Sequence, residues 1–343
     1  MADITIRGAG IFGLSIAWAC IRRGTRVTVI DPNGPGAGSS GGVVGALAPH
    51  VPENWNAKKA FQLESLLMTG PFWAEVEETS GMSSGYARSG RLQPIPDMKG
   101  LDLARQRAIS SAELWGKHAT WSVDQMDGAA WAPPSPTGWV IRDTLSAHLH
   151  PRSACDTLVA ALSAKGVTIQ SDGPDTGAVI WATGIAGLDA LNRQHHRMVG
   201  NGVKGQAALL RFDAGVAPQI FADGVHIIPH SNGTVAVGST SERDFEDPNT
   251  TDARLDAVID RARTAVPVLK DAEVIHRWAG VRPRARSRAP MLGDWPDRPG
   301  HFIANGGFKI GFGMAPKIAE VMADLVLEGR NQIPDGFEVR ASF

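Results

Sequence analysis

The chain has 343 residues, of which 43% are hydrophobic and 20% charged, the balance of a globular protein with room for about two domains. Its 34 Lys and Arg offset 35 Asp and Glu to a net charge of −1, so no global basic field exists to hold nucleic acid or an anionic membrane. No apolar run approaches the roughly 20 residues of a membrane span. A small-molecule partner is therefore expected, with no nucleic acid and no membrane span.

Ile4-Thr5-Ile6 reads as a short buried strand, and Gly8-Ala9-Gly10-Ile11-Phe12-Gly13 follows it at once. Leu14 to Ile21 continues as an apolar helix closed by Arg22-Arg23-Gly24, and Arg26-Val27-Thr28-Val29-Ile30 is a second strand ending on Asp31. This is a Rossmann-type βαβ unit with the Gly-x-Gly-x-x-Gly fingerprint. Gly8 makes the tight turn, Gly10 admits a pyrophosphate to the backbone, and Gly13 lets helix and strand pack closely. Phosphates then lie at the helix N-terminus, where unpaired N–H groups favour negative charge. Asp31 is placed for the ribose hydroxyls and disfavours a 2′-phosphate. Arg7 reads as a surface side chain, and Met1-Ala2-Asp3 runs into the strand with no signal-peptide pattern.

The stretch from Gly36 to His50 is rich in small residues and almost uncharged. Its backbone can press against a flat ring system, and Ser39 and Ser40 offer hydroxyls to phosphate or flavin oxygens. Further along, His150-Pro151-Arg152 starts a helix running to about Lys165, and Val179 to Trp181 is a buried strand before Ala182-Thr183-Gly184. Val225 to Pro229 and Thr234 to Gly238 flank Ser231-Asn232-Gly233, a hairpin signal. Leu255 to Val266 carries apolar residues at helical spacing and stops at Pro267. Cys20 and Cys155 are the only cysteines, too few and too distant for a disulfide framework or a metal site, and they fit a reducing cytoplasm.

Gly8-Ala9-Gly10-Ile11-Phe12-Gly13, Asp31 and Ser39-Ser40-Gly41-Gly42-Val43-Val44-Gly45-Ala46 together resemble the opening of the D-amino-acid oxidase (DAO) superfamily, and within it the glycine oxidase branch. The resemblance continues in order through Val179–Gly184, Gly202–Gln206, Trp278-Ala279-Gly280-Val281-Arg282-Pro283 and Gly306–Pro316. It implies an α/β fold of glutathione-reductase-like type: a Rossmann-type FAD-binding domain (1–85, 142–201 and 277–343) interleaved with a mixed, largely antiparallel substrate domain (86–141 and 202–276). It further implies non-covalent FAD held by Gly8, Gly10, Ile11, Phe12, Gly13, Asp31, Ser39, Ser40, Gly42, Val44, Gly45, Thr183, Gly184, Gly307, Phe308, Ile310 and Gly311.

The implied reaction is oxidative deamination of a small amino acid or amine, hydride passing from the substrate α-carbon to the flavin, with oxygen or an electron carrier as final acceptor. Arg282 would grip the substrate carboxylate with two charge-assisted hydrogen bonds. Lys309 would lie beside the flavin or substrate, and His226 stands where glycine oxidases carry a tyrosine. His50 is a lesser candidate, and Arg284, Arg286 and Arg288 read as a solvated face. The nine residues from Gln170 to Ala178 are shorter than the usual excursion of relatives, which removes an expected adenine contact. A dehydrogenase of the same fold, a sarcosine-type oxidase, the oxidase half of a tRNA-modifying enzyme and a non-catalytic flavoprotein subunit are the competing readings. Relatives self-associate, so a homo-oligomer is a further expectation.

Overall fold

The computed structural model describes residues 3–343. The chain opens with β1 (Asp3–Arg7), α1 (Ile11–Arg22) and β2 (Arg26–Ile30), then β3 (Ala46–Leu47) and the long α2 (Ala57–Ser80). Next come β4 (Arg91–Pro94), α3 (Met98–Leu114), β5 (Trp121–Gln125), β6 (Trp139–Asp143), β7 (Ala147–His148), α4 (Pro151–Ala164), β8 (Ile169–Gln170) and β9 (Ala178–Trp181). The second half holds α5 (Gly184–Gln194), β10 (Gly200–Arg211), β11 (Gln219–Ala222), β12 (Val225–His230), β13 (Thr234–Gly238) and α6 (Ala253–Ala265). It closes with β14 (Val274–Ala285), β15 (Met291–Asp294), β16 (His301–Asn305) and α7 (Gly311–Glu328). Among the described residues no helix is long and apolar enough to cross a membrane.

Two sheets organise the molecule. The first has the order β15-β16-β9-β1-β2-β8 and is parallel except for the β15–β16 pair. Strand order reverses beside β1, which gives the crevice at its C-terminal end where such sheets bind ligands. Helix α1 is buried from Ile11 to Cys20 without a polar face. That follows from its position: Leu14, Ile16 and Trp18 join one core with Leu158 of α4 and Met314, Ile318 and Met322 of α7. Its C-terminal end is tied to α7 where Arg23 meets Glu320 at 2.6 Å and Asp324 at 2.7 Å.

The second sheet has the order β14-β10-β13-β12-β11-β4-β6-β5, antiparallel except between β11 and β4. The expected hairpin is present, with His230 opposite Thr234 and Gly233 at φ +77°. The expected helix is α6, started by the Asp252 carboxylate, which accepts from Arg254 N. Its Leu255, Val258, Ile259 and Ala262 pack on Val235 and Val237. Strand alternation then turns Ala236 to the opposite face, where it meets Val43 and Val44 of the glycine-rich segment. That second face closes over the crevice of the first sheet.

The two sheets draw their strands alternately from along the chain. The boundaries expected at 141/142, 201/202 and 276/277 fall inside β6, β10 and β14, whose hydrogen-bonded registers run unbroken across those positions. Strand pairing is cooperative, so each junction belongs at a strand end.

Arg7 is also not the free surface side chain expected from sequence. Its Nε donates to Asp175 Oδ1 at 2.7 Å and its Nη2 to Gly173 O at 2.8 Å. Thr5 Oγ1 donates to Thr176 O at 3.0 Å and accepts from Thr176 N at 2.8 Å. Odd-numbered side chains of β1 thus hold the shortened 171–177 segment flat across the sheet face. The shortening leaves a pinned strap in place of a longer excursion.

Candidate FAD and substrate site

The glycine turn is shaped by contacts that leave no room for side chains. Gly8 has φ +106°, and a Cβ there would stand 2.4 Å from Ala182 O. A Cβ on Gly13 would stand 1.9 Å from Gly8 O. Asp31 holds the turn from β2: its Oδ2 accepts from Ala9 N at 2.7 Å and its Oδ1 from Asn33 N at 2.9 Å. The carboxylate thus sits at the end of β2, braced by backbone N–H groups.

Four chain segments that sequence reading had linked only by motif meet at this turn. Ser40 Oγ accepts from Ile11 N at 3.0 Å, which brings the short helical turn Ser39–Gly41 against the first helix. Gly8 touches the Ala182-Thr183 backbone, and Asn305 Nδ2 donates to Gly184 O at 2.8 Å. Gly307 has no space for a side chain because Phe12 Cζ would lie 2.7 Å from its Cβ, and Gly311 faces Ile11 and Phe12. Ile310 N closes the intervening turn on Gly307 O at 3.0 Å. Helices α1 and α7 therefore bring their N-termini to one place, and neither has a side-chain cap. Ser40 takes the Ile11 N–H, and the N–H groups that remain at the two N-termini form a positive cradle for an anion such as a pyrophosphate.

Not every expected cofactor residue faces that cradle. Gly45 backs onto Leu149, whose N–H donates to Gly45 O at 3.1 Å. Val44 packs toward Gly238 of the second sheet. Gly42 meets the ring of Trp278, which would touch a Cβ there at 3.4 Å.

The facing sheet supplies the other wall. Trp278, Ala207, Gly238, His226 and Phe221 stand opposite one another in five adjacent strands, so their side chains share a face. Spacing of two along β14 puts Gly280, Arg282 and Arg284 on that same face. Its floor is glycine: Trp278 folds over Gly280, and the Arg282 guanidinium lies across Gly205.

Arg282 is 9% exposed and hydrogen-bonds to no acid, although the Glu242 carboxylate is near enough to favour its charge. Its Nη1 donates to Ser239 Oγ at 2.7 Å, and its Nη2 to Thr240 O at 2.7 Å and Lys204 O at 3.2 Å. Its Nε is buried without a partner. Burial pushes the guanidinium down to about 10, which still leaves it cationic at neutral pH. A buried cation with only neutral partners and an orphaned donor is arranged to receive an anion.

His226 and Lys309 adjoin it. The His226 ring lies 4.7 Å from Phe221, and its Nδ1 is buried without a partner. Burial, then the charges of Arg91 and Lys309, push it down to about 3, so the imidazole is neutral. Lys309 Nζ is 5.7 Å from the Phe308 ring centre and is lowered by desolvation, then by Arg282 and Arg284. Phe308 adopts φ +45°, uncommon for a non-glycine residue.

His50 is placed off this face: its N–H donates to Gln62 Oε1 of α2 at 2.7 Å. Tyr86 also stays with α2, its hydroxyl 3.0 Å from Thr69 Oγ1. Arg284 departs from the solvated-face expectation, since it is half-buried with its guanidinium 5.2 Å from the Phe308 ring centre. Ser239, Thr240 and Arg91 were not read as site residues at all. The β14–β10–β13 pairing brings Ser239 and Thr240 to Arg282, the β4–β11–β12 pairing brings Arg91 toward His226, and no local pattern marks either register.

Behind the glycine-rich segment lies a buried histidine group. His230 Nε2 is 3.0 Å from Val43 O, its ring is 4.7 Å from that of His150, and both nitrogens of His148 lack partners. Burial pushes His148 down to about 4 and His230 to about 3. The unfolded chain therefore binds protons below about pH 6.5 while the folded chain does not, so stability falls as pH drops below that value. The slope is about 1.4 kcal/mol per pH unit for each histidine. Urea unfolding at pH 7.5 and pH 5 should show this loss, and His148→Asn should make it shallower; an unchanged pH dependence in the variant would refute the assignment.

A parallel-sheet dinucleotide crevice faced by an antiparallel sheet bearing the buried Arg282 is the arrangement of a flavin-dependent oxidoreductase. The chain belongs to the DAO family, described as FAD dependent oxidoreductase, which it matches over residues 3–325. It is 24% identical to glycine oxidase of Geobacillus kaustophilus over 360 residues, covering 94% of this chain and 92% of that one. It is 26% identical to the bifunctional protein ThiO/ThiG of Nostoc over 358 residues, covering 96% of this chain but 53% of that protein, so the chain spans about half the length of such relatives. Its fold is that of the crystal structure of glycine oxidase from Geobacillus kaustophilus, with a TM-score of 0.84 at 20% identity over 99% of both chains. Iminodiacetate oxidase from Chelativorans is equally similar, with a TM-score of 0.84 at 21% identity over 96% of this chain and 97% of that one.

The residues present fit FAD. The glycine turn, Asp31 and the two converging helix N-termini suit its pyrophosphate and ribose. Attachment is non-covalent, in keeping with Cys20 and Cys155, which are free, buried and pushed up to about 12 by burial.

Proposed function

We propose that this chain oxidises the C–N bond of a small amino acid or amine. The observation that carries the reading is Arg282, a buried cation with an unpartnered Nε on the face that closes over the dinucleotide crevice. Relatives named glycine oxidase and iminodiacetate oxidase act on carboxylated amines, and the same chemistry needs such an anchor here.

When bound, FAD supplies the two-electron acceptor. The side chains supply position. Arg282 takes the substrate carboxylate, while Trp278 and the glycine floor leave a flat space in which the α-carbon is held over the ring. Neutral His226 lines the same face as a hydrogen-bonding group, and Lys309 adds positive charge beside it. Ile11, Phe12, Gly307 and Gly311 would line the cofactor where the two helix N-termini meet, and the α7 N-terminus would contribute about 0.3–2 kcal/mol toward negative charge there. The amine substrate leaves as an imine, which water hydrolyses to an oxo acid or aldehyde and ammonia or an amine. Electrons pass on to oxygen or a carrier, and a cytoplasmic location suits that chemistry.

Anaerobic titration of the yellow protein with glycine, sarcosine and D-amino acids tests the reading. Bleaching of the flavin absorbance by one of them is expected, and the speed of recovery in air distinguishes oxygen from a carrier. No bleaching by any carboxylated amine would overturn it.

A further inference from the structure

Arg282 is not the only cation at the Phe308 ring. The Arg282 and Arg284 guanidinium carbons lie 5.6 Å and 5.2 Å from its centre, and Lys309 Nζ lies 5.7 Å away. Beyond Arg284 opens a cleft of about 220 Å³ lined by Asn201, Arg243, Arg284, Ala285, Arg286 and Arg288. Lys58 approaches its rim, its Nζ donating to Arg288 O.

None of these seven cations (Lys58, Arg243, Arg282, Arg284, Arg286, Arg288 and Lys309) appears in the 19 ion-pair contacts within 4.0 Å among the described residues. Most other arginines on this chain do find acids, and the whole chain carries a net charge of only −1. Seven cations without an ion-pair partner thus gather around the Phe308 ring and the cleft beside it. One substrate carboxylate occupies one guanidinium, which leaves Arg284 and Lys309 facing the same space with nothing to bind. Their mutual repulsion is felt: Arg284 lowers both Lys309 and Lys58, after desolvation.

We propose that the substrate is a dianionic amine, whose second acid group, a carboxylate or a phosphate, is bound by Arg284 and Lys309 at the mouth of the arginine-lined cleft. Arg282 and Arg284 are two residues apart on one strand, so their Cα atoms are separated by about 7 Å. That spacing suits two acid groups placed on either side of an amine or α-carbon. Arg243, Arg286 and Arg288 extend the positive field outward and draw such a substrate in, an effect that salt screens. This assignment rests on the reading of Arg282 as the first carboxylate anchor.

The test uses the flavin-loaded enzyme and the unreactive probes acetate, malonate and phosphonoacetate, read by the perturbation each causes in the flavin absorbance. At low salt one of the two dianions should bind at least about tenfold more tightly than acetate, the gain expected of one charge-assisted contact. Comparing malonate with phosphonoacetate identifies which second group is preferred. Arg284→Gln and, separately, Lys309→Gln should each remove most of that advantage. Dianions binding no more tightly than acetate, or keeping their full advantage in both variants, would overturn the proposal. If the dianions bind tightly but no carboxylated amine of either kind bleaches the flavin, the oxidative reading fails and only the dianion site stands; if glycine or sarcosine bleaches it while iminodiacetate, D-aspartate and O-phospho-D-serine do not, the two-acid substrate is overturned. If glycine or sarcosine bleaches the flavin and the dianions gain nothing, the oxidative reading stands and this proposal fails.

Discussion

Replacing Arg282 with leucine is expected to lower the second-order rate constant of flavin reduction by about 10²–10⁴-fold. Two charge-assisted bonds to a carboxylate contribute about 1.5–3 kcal/mol each when shielded from water, which corresponds to that range. The loss should fall mainly on substrate affinity, because Arg282 grips a group that does not react. Rapid-mixing reduction under anaerobic conditions measures it directly. The spectrum of the bound flavin should not change, since the guanidinium contacts are with Ser239, Thr240 and Lys204 of the second sheet rather than with the glycine turn. Those same contacts mean that the side chain also braces the loop after β13. Arg282→Lys separates the two roles: it keeps the charge but loses the fork, so substrate affinity should recover in part. Unchanged affinity in the leucine variant would remove Arg282 as the carboxylate anchor.

The parts of this molecule legible in the sequence are those where one local constraint decides the residue. At Gly8 and Gly13 an added Cβ would meet backbone oxygen at under 2.5 Å, so the turn and its helix follow from the spacing alone. The hairpin around Asn232-Gly233 and the start of α6 at Asp252 are likewise local. Arg282 is legible because an arginine between Val281 and Pro283, after Trp278, is hard to explain as surface. What was not legible depends on register. Arg284 looks like its exposed neighbours Arg286 and Arg288 in sequence, yet it lies half-buried over Phe308 because β14 is twelve residues long and keeps its pleat to Ala285. The continuation of β6, β10 and β14 past residues 141, 201 and 276 depends on the same pairing and leaves no local mark in the sequence. Arg7 was read as free because its partners, Gly173 and Asp175, lie in a strap whose path over the sheet no periodicity signals.

Two alanine substitutions in the first glycine turn should have opposite consequences, and the contrast separates fold from site. In Gly13→Ala the new methyl would stand 1.9 Å from the Gly8 carbonyl oxygen, a backbone atom that cannot step aside without moving β1 from α1. Overpacking against backbone of this kind costs about 3 kcal/mol or more, which lowers Tm by about 6–12 °C or prevents folding. In Gly10→Ala the backbone is already in an extended conformation open to alanine, φ −81°, and the nearest neighbour is the Ser40 hydroxyl at 3.1 Å. The protein should fold, but the methyl projects into the cradle at the α1 N-terminus, where the pyrophosphate must approach the backbone. The dissociation constant for FAD should rise by about 10–100-fold, measured by titrating FAD into deflavinated protein and following its fluorescence. Wild-type FAD affinity in Gly10→Ala would take the turn out of the cofactor site. Normal stability in Gly13→Ala would instead mean that helix and strand can separate enough to admit a methyl group that would otherwise stand 1.9 Å from Gly8 O.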